Sequence, residues 1–120
     1  MATEMKLLFV MSHAPHGSIC AQEGLDAVLM GSAFSVCSLL FVGAGVLQLV
    51  RDQDTELLGI KNFSRSFGAL PDYGVTEVFC CEKALKDYRL TTNDLLLKPK
   101  VVSSPVIQAL LNDHNQVLTF

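Results

Sequence analysis

Two consecutive thiols, Cys80 and Cys81, stand where an apolar run, Val75 to Phe79, gives way to a charged segment of helical character, Glu82 to Tyr88. If the run is a buried strand, the thiols lie where a strand ends and a helix begins, the place where open parallel sheets gather their chemistry. A thiol there meets unpaired backbone N–H groups and the positive end of a helix dipole, which favour thiolate over thiol and so make a nucleophile. The competing reading is a small apolar filler, because free cysteine is among the most buried residue types. Cys81, Ala84, Leu85 and Tyr88 recur at i, i+3, i+4 and i+7 and form one apolar stripe. That periodicity turns Cys81 towards the sheet and leaves Cys80 at the boundary, nearest the free N–H groups.

Other groupings offer less. His13 and His16 form an HxxH with no signature for further ligands, so two loop histidines are preferred to a metal site. Ser12, Ser18 and His16 lack the GxSxG elbow of a serine hydrolase. Gly43-Ala44-Gly45 is a lone GxG after the second strand, with no third glycine to admit a pyrophosphate. It reads as a tight strand-ending turn, with Val46, Leu47, Leu49 and Val50 beyond it as an exposed contact surface. The first loop has no run of Ser/Thr and glycine to cradle phosphate, which disfavours a flavodoxin-like cofactor binder. No cofactor and no metal are expected. The four cysteines, Cys20, Cys37, Cys80 and Cys81, show neither CxxC nor zinc-ligand spacing, and vicinal cysteines close a strained ring. All are expected as reduced thiols, with Cys20 and Cys37 in the core.

These residues need elements to position them. The chain opens with an apolar run, Lys6 to Ser12, broken by Ala14-Pro15-His16-Gly17. From Ser18, a plausible N-cap, Ala21, Leu25, Val28 and Leu29 recur at helical spacing, which predicts a helix to about Ala33. A second apolar run, Val36 to Val42, completes a βαβ unit with parallel strands. A polar loop at Arg51 to Asp54 precedes a helix over Thr55 to Phe67, and Leu70 to Gly74 reads as a turn or short helical segment. The third strand, Val75 to Cys80, leads to the third helix; after a loop with a short element at Asp94 to Leu97 come a fourth strand at Lys100 to Ser103, a helix from Pro105 with Ser104 as N-cap, and a last strand at Gln116 to Phe120.

Strands alternating with helices predict an α/β fold, a three-layer α/β/α sandwich on a five-stranded, mostly parallel sheet. The flavodoxin-like order 2-1-3-4-5 closes two βαβ halves most simply. In it the ends of strands one and three are neighbours, so that residues 13–18 face Cys80 and Cys81 across a crevice. One domain spans residues 1–120, since no linker, repeat or low-complexity segment breaks the pattern.

Half of the residues are hydrophobic and 18% are charged, leaving little polar surface to cover a monomer. That balance implies a sheet buried on both faces and apolar surface hidden in subunit contacts. The net charge is −3 with scattered basic residues, which argues against a direct nucleic-acid footprint. The run Leu7 to Met11 is too short for a signal peptide or membrane span, so a cytoplasmic location is expected.

The residues also carry a specific likeness. Phe9-Val10 leading to Ala14-Pro15-His16-Gly17, then Glu23-Gly24-Leu25-Asp26-Ala27, Gly45-Val46, Gln48-Leu49, Phe67, Leu70, Tyr73, Cys81 with Leu85, and Phe120 together resemble the TusC/DsrF family. These are the C and F subunits of the TusBCD and DsrEFH sulfur-relay complexes, and the similarity spans nearly the whole chain. The resemblance implies a DsrE/F-like subunit that joins TusD/DsrE-like and TusB/DsrH-like partners as a dimer of heterotrimers. It implies passage of persulfide sulfur from a TusA-like carrier towards a TusE-like one for 2-thiolation of the tRNA wobble uridine, or, in the Dsr version, service in sulfur oxidation. The main carrier cysteine belongs to the D/E-type subunit, so this chain is implied to act chiefly as scaffold and interface rather than as an enzyme on its own. The matching position here is Cys81, or Cys80 with one residue of slippage. Two departures stand out: Arg89 occupies a position where such chains often carry glycine, and Ala44 one where an acidic residue is common.

Overall fold

The computed structural model describes residues 5–14, 19–50 and 68–120. The loop expected at 51–54, the helix expected at 55–67, and Ser18 and His16 lie outside them.

Five strands form one sheet: β1 (Lys6–Met11), β2 (Val36–Phe41), β3 (Glu77–Cys81), β4 (Lys100–Val102) and β5 (Gln116–Thr119). The described α-helices are α1 (Cys20–Gly31), α2 (Glu82–Asp87) and α3 (Ser104–Asp113), joined by 3-10 helices at Gly43–Leu49, Leu70–Tyr73 and Thr92–Asp94. All neighbouring strands are parallel, and helices cover both faces, as the strand and helix patterning predicts.

The order across the sheet is β4-β3-β2-β1-β5, where 2-1-3-4-5 was the simplest expectation. A right-handed crossover places its helix on a face set by the direction of the step. The steps from β1 through β4 all run one way, so α1 and α2 share a face. The step from β4 back across the sheet to β5 runs the other way and carries α3 to the opposite face. Packing records both sides. Phe9, Met11, Leu39, Phe41, Val78 and Cys80 turn towards Leu25 and Val28 of α1 and Leu85 of α2. Leu8, Val10, Leu40 and Val102 turn towards Ile107, Leu110 and Leu111 of α3. Because β2 separates β1 from β3, the end of β1 does not adjoin the cysteine pair as expected; of the residues expected across that crevice, 15–18 lie outside the described residues.

The segment after β2 also departs from expectation. Gly43–Leu49 winds as a 3-10 helix that buries Val46 and Leu49 completely, so these two residues belong to the core and not to an exposed contact surface. Gly45 makes this possible, since a Cβ there would collide with the main chain of Met11. Gly24 plays the matching part in α1: its bare Cα lets the helix settle on β1, where an added Cβ would meet Met11 Sδ at 2.7 Å and Phe120 Cβ at 3.0 Å. The chain closes with Phe120 stacked on Phe9, ring centroids 6.3 Å apart, while its carbonyl accepts from the Ser12 N–H at 2.7 Å and from Ser12 Oγ at 3.1 Å.

Candidate functional site

In a parallel sheet a crevice opens where neighbouring strands send their following helices to opposite faces. Here that divergence falls between β3 and β4, because α2 leaves on one face and α3 on the other. The residues ending β3 there are Cys80 and Cys81, paired in register with Val101 and Val102 of β4. The strand that neighbours the cysteine pair on this side is β4, where the sequence led to the expectation of β1.

The two thiols divide differently from what helical periodicity suggests. β3 runs one residue further than expected, through Cys81, and α2 starts at Glu82 with Cys81 as its N-cap residue in extended conformation. Cys80 points into the core and is fully buried, while Cys81 is half-buried at the boundary. Burial pushes the Cys80 thiol up to about 11, and the neighbouring Cys81 adds to the shift. A thiol in that state is protonated at neutral pH and inert as a nucleophile, which leaves Cys81 as the one member of the pair positioned to react. In register with it stands Val102, followed in the chain by Ser103, the N-cap of α3, and Ser104, which opens that helix with Pro105 in its first turn. Ser103 makes no side-chain capping hydrogen bond.

The other sequence candidates do not join this site. His13 is exposed, its Nδ1 3.4 Å from Ser12 Oγ, and its carbonyl accepts from Gln48 Nε2 at 2.8 Å. Cys37 is buried, and burial pushes its thiol upward against a weaker opposing contact from Ser35. Cys20 is half-buried rather than in the core. Among the described residues no three His, Cys, Asp or Glu side chains converge to hold a metal, and no helix is long and apolar enough to cross a membrane. Two buried polar residues, Gln48 and Ser38, carry no motif. Their only signal in the sequence is that each interrupts an apolar run.

The fold and the strand-end thiol define a small, fully parallel α/β domain of the kind that presents a cysteine at the carboxyl edge of its sheet. The model of the DsrE/DsrF-like family matches residues 5–120, and the chain belongs to that family. It is 36% identical over 117 residues to Protein TusC of Buchnera aphidicola subsp. Schizaphis graminum, covering 96% of this chain and 98% of the relative. It is 33% identical over 116 residues to a Protein TusC homolog of Vibrio vulnificus, again covering 96% and 98%. Among solved structures, the ychN protein from E. coli superposes with a TM-score of 0.84 at 18% identity over 97% of this chain and 99% of that one. A protein of unknown function from Methanobacterium thermoautotrophicum does so with a TM-score of 0.73 at 19% identity over 98% and 100%. These two likenesses concern the fold.

Proposed function

We propose that this chain is the TusC-type subunit of a cytoplasmic sulfur-relay assembly, contributing interface and scaffold. Its partners in this reading are a TusD/DsrE-like and a TusB/DsrH-like subunit in a dimer of heterotrimers. The assembly would take persulfide sulfur from a TusA-like carrier and deliver it to a TusE-like one for 2-thiolation of the tRNA wobble uridine. The observation that carries the reading is the end-to-end similarity to proteins named TusC, which favours the tRNA-directed relay over sulfur oxidation. Co-expression with the two partner types tests it. Co-purification in one stable particle is expected, and a monodisperse monomer that ignores both partners would overturn it.

Within that role Cys81 is an accessory sulfur acceptor. Its thiolate attacks the terminal sulfur of a donor persulfide, the donor S–S bond breaks, a new S–S bond forms on Cys81, and the donor leaves as a thiolate. Electrons balance without an added oxidant. The half-buried setting of Cys81 at the strand end supports this assignment over Cys80. Loading the complex with sulfur and digesting it should give a peptide containing both cysteines that is heavier by one sulfur atom. The gain should persist in Cys80→Ser and vanish in Cys81→Ser. No gain in the wild-type peptide would leave the scaffold role alone.

A further inference from the structure

The sheet is bordered by β4 on one side and β5 on the other, and the two edges are guarded differently. β4 is three residues long, follows Pro99, and carries Lys100 in an ion pair with Glu77, all features that blunt an edge against pairing. β5 has none of them. From His114 to Phe120 the sequence holds no lysine, arginine, proline, aspartate or glutamate. The longer stretch from Ser104 to Phe120, which forms α3 and β5, has Asp113 as its one formal charge and contains no buried residue. Exposed surface depleted of charge is the composition of an interface core.

The register shows which backbone groups of this edge point outward. Val10 stands opposite Thr119, and the Val10 carbonyl accepts from the Phe120 N–H at 2.8 Å. In a parallel ladder a residue bonds the two chain neighbours of its opposite number, so Thr119 itself turns its N–H and C=O away from β1. Val117, two residues back, does the same. The Ser12 N–H donating to the Phe120 carbonyl at 2.7 Å continues the alternation. Ahead of the strand, the Asn115 N–H donates to the Lys6 carbonyl at 2.9 Å, and Asn115 Oδ1 accepts from the Lys6 N–H at 2.7 Å. β5 is thus pinned at both ends, and Val117 and Thr119 each present an outward donor and acceptor.

We propose that this edge pairs with the same edge of a second copy of the chain, β5 against β5 about a two-fold axis through Leu118. Edge strands related by such an axis run antiparallel. This register sets Val117 opposite Thr119 of the second copy, and each such pair exchanges both of its hydrogen bonds. The outward groups of both residues are satisfied, and two five-stranded sheets become one. Charge selects the occupant. The edge offers no charge for a charged partner strand to complement, and two copies of net charge −3 meet where their mutual repulsion is least. The contact uses this chain alone and does not rest on the sulfur-relay reading.

The test is sedimentation velocity of the full chain alone over a concentration series, joined to hydrogen exchange read at single amides by NMR. A four-residue strand pair is a small contact, so a dimer with a Kd on the order of a hundred micromolar is expected. The Val117 and Thr119 amides should exchange freely in dilute protein and become protected as the dimer forms, while the Leu118 amide, bonded within the sheet, stays protected throughout. Val117→Pro removes an outward N–H that the chain's own sheet does not use, so the fold should survive and the dimer weaken by about ten- to a hundredfold. Val117→Lys, which places a charge on the edge, is the second variant if the first misfolds and should weaken the dimer comparably. A chain that stays monomeric, a dimer that leaves the Val117 and Thr119 amides unprotected, or a dimer that survives both substitutions would overturn the proposal. Protection of those amides only on addition of a different subunit would also overturn it, by giving the edge to that subunit.

Discussion

Cys80 and Cys81 are adjacent in the chain yet chemically separate: Cys80 is sealed in the core, and Cys81 stands half-exposed where β3 becomes α2. Cys81 packs against the edge of the same core but keeps part of its surface open. Alkylation of the native protein with iodoacetamide at mildly alkaline pH should therefore modify Cys81 and spare Cys80, as read by mass spectrometry of the shared peptide. Equal labelling rates at the two thiols would contradict the assignment.

The raised Cys80 thiol also makes stability depend on pH. Its ordinary value of 9.0 applies to the unfolded chain, and burial raises it to about 11 in the folded one. Below pH 9 both states hold the proton, and this contribution to stability is fully present. Above it the unfolded chain releases a proton that the folded chain keeps, so stability falls until the folded thiol also ionises. The loss attributable to Cys80 across that window is roughly 2–3 kcal/mol. Urea denaturation at several alkaline pH values should show a shallower decline for Cys80→Ala than for the wild type; parallel curves would refute the effect.

The two close-approach glycines should differ in severity. Gly45→Ala drives a methyl group into the main chain of Met11, which cannot move without breaking β1, and should cost about 3 kcal/mol or more. Gly24→Ala meets chiefly the flexible end of the Met11 side chain and should cost about 1–2 kcal/mol. Thermal denaturation of both variants, judged by melting temperature, checks the ranking. A Gly45→Ala protein as stable as Gly24→Ala would mean that the 3-10 helix at Gly43–Leu49 packs otherwise.

The described elements were legible because apolar runs and helical spacing report burial directly: β1, α1, β2, α2 and α3 fall within about two residues of where the periodicity puts them. Lateral strand order was not legible. β2 is apolar on both faces, and nothing in Val36–Phe41 distinguishes an edge place beside β1 alone from a central place between β1 and β3. The cysteine reading held in part: Cys81 packs against the core as its place on the stripe with Leu85 suggests, but Cys80 lies fully buried within β3 and not at the boundary. Val46 and Leu49 were misplaced because a 3-10 helix has a period that the alternation of strands and α-helices does not expose.

One departure visible in the sequence does acquire a physical meaning. The family resemblance led to the expectation of glycine at Arg89, whose φ is 56°, in the left-handed region. It is the residue after the C-cap of α2, where the Arg89 N–H donates to the Lys86 carbonyl at 3.1 Å and the Leu90 N–H to the Leu85 carbonyl at 2.8 Å. That pair of bonds is a Schellman motif, which requires the left-handed conformation that glycine adopts without a Cβ penalty. Leu90 packs on the core beyond it, so the turn cannot relax without exposing that side chain. Arg89→Gly should therefore stabilise the protein by about 1 kcal/mol, less the greater chain entropy that glycine brings to the unfolded state. A rise of a few degrees in melting temperature is expected, with Arg89→Ala giving no comparable gain because alanine keeps the Cβ. Equal gains from the two substitutions would point to the guanidinium, not the backbone, as the source of the strain.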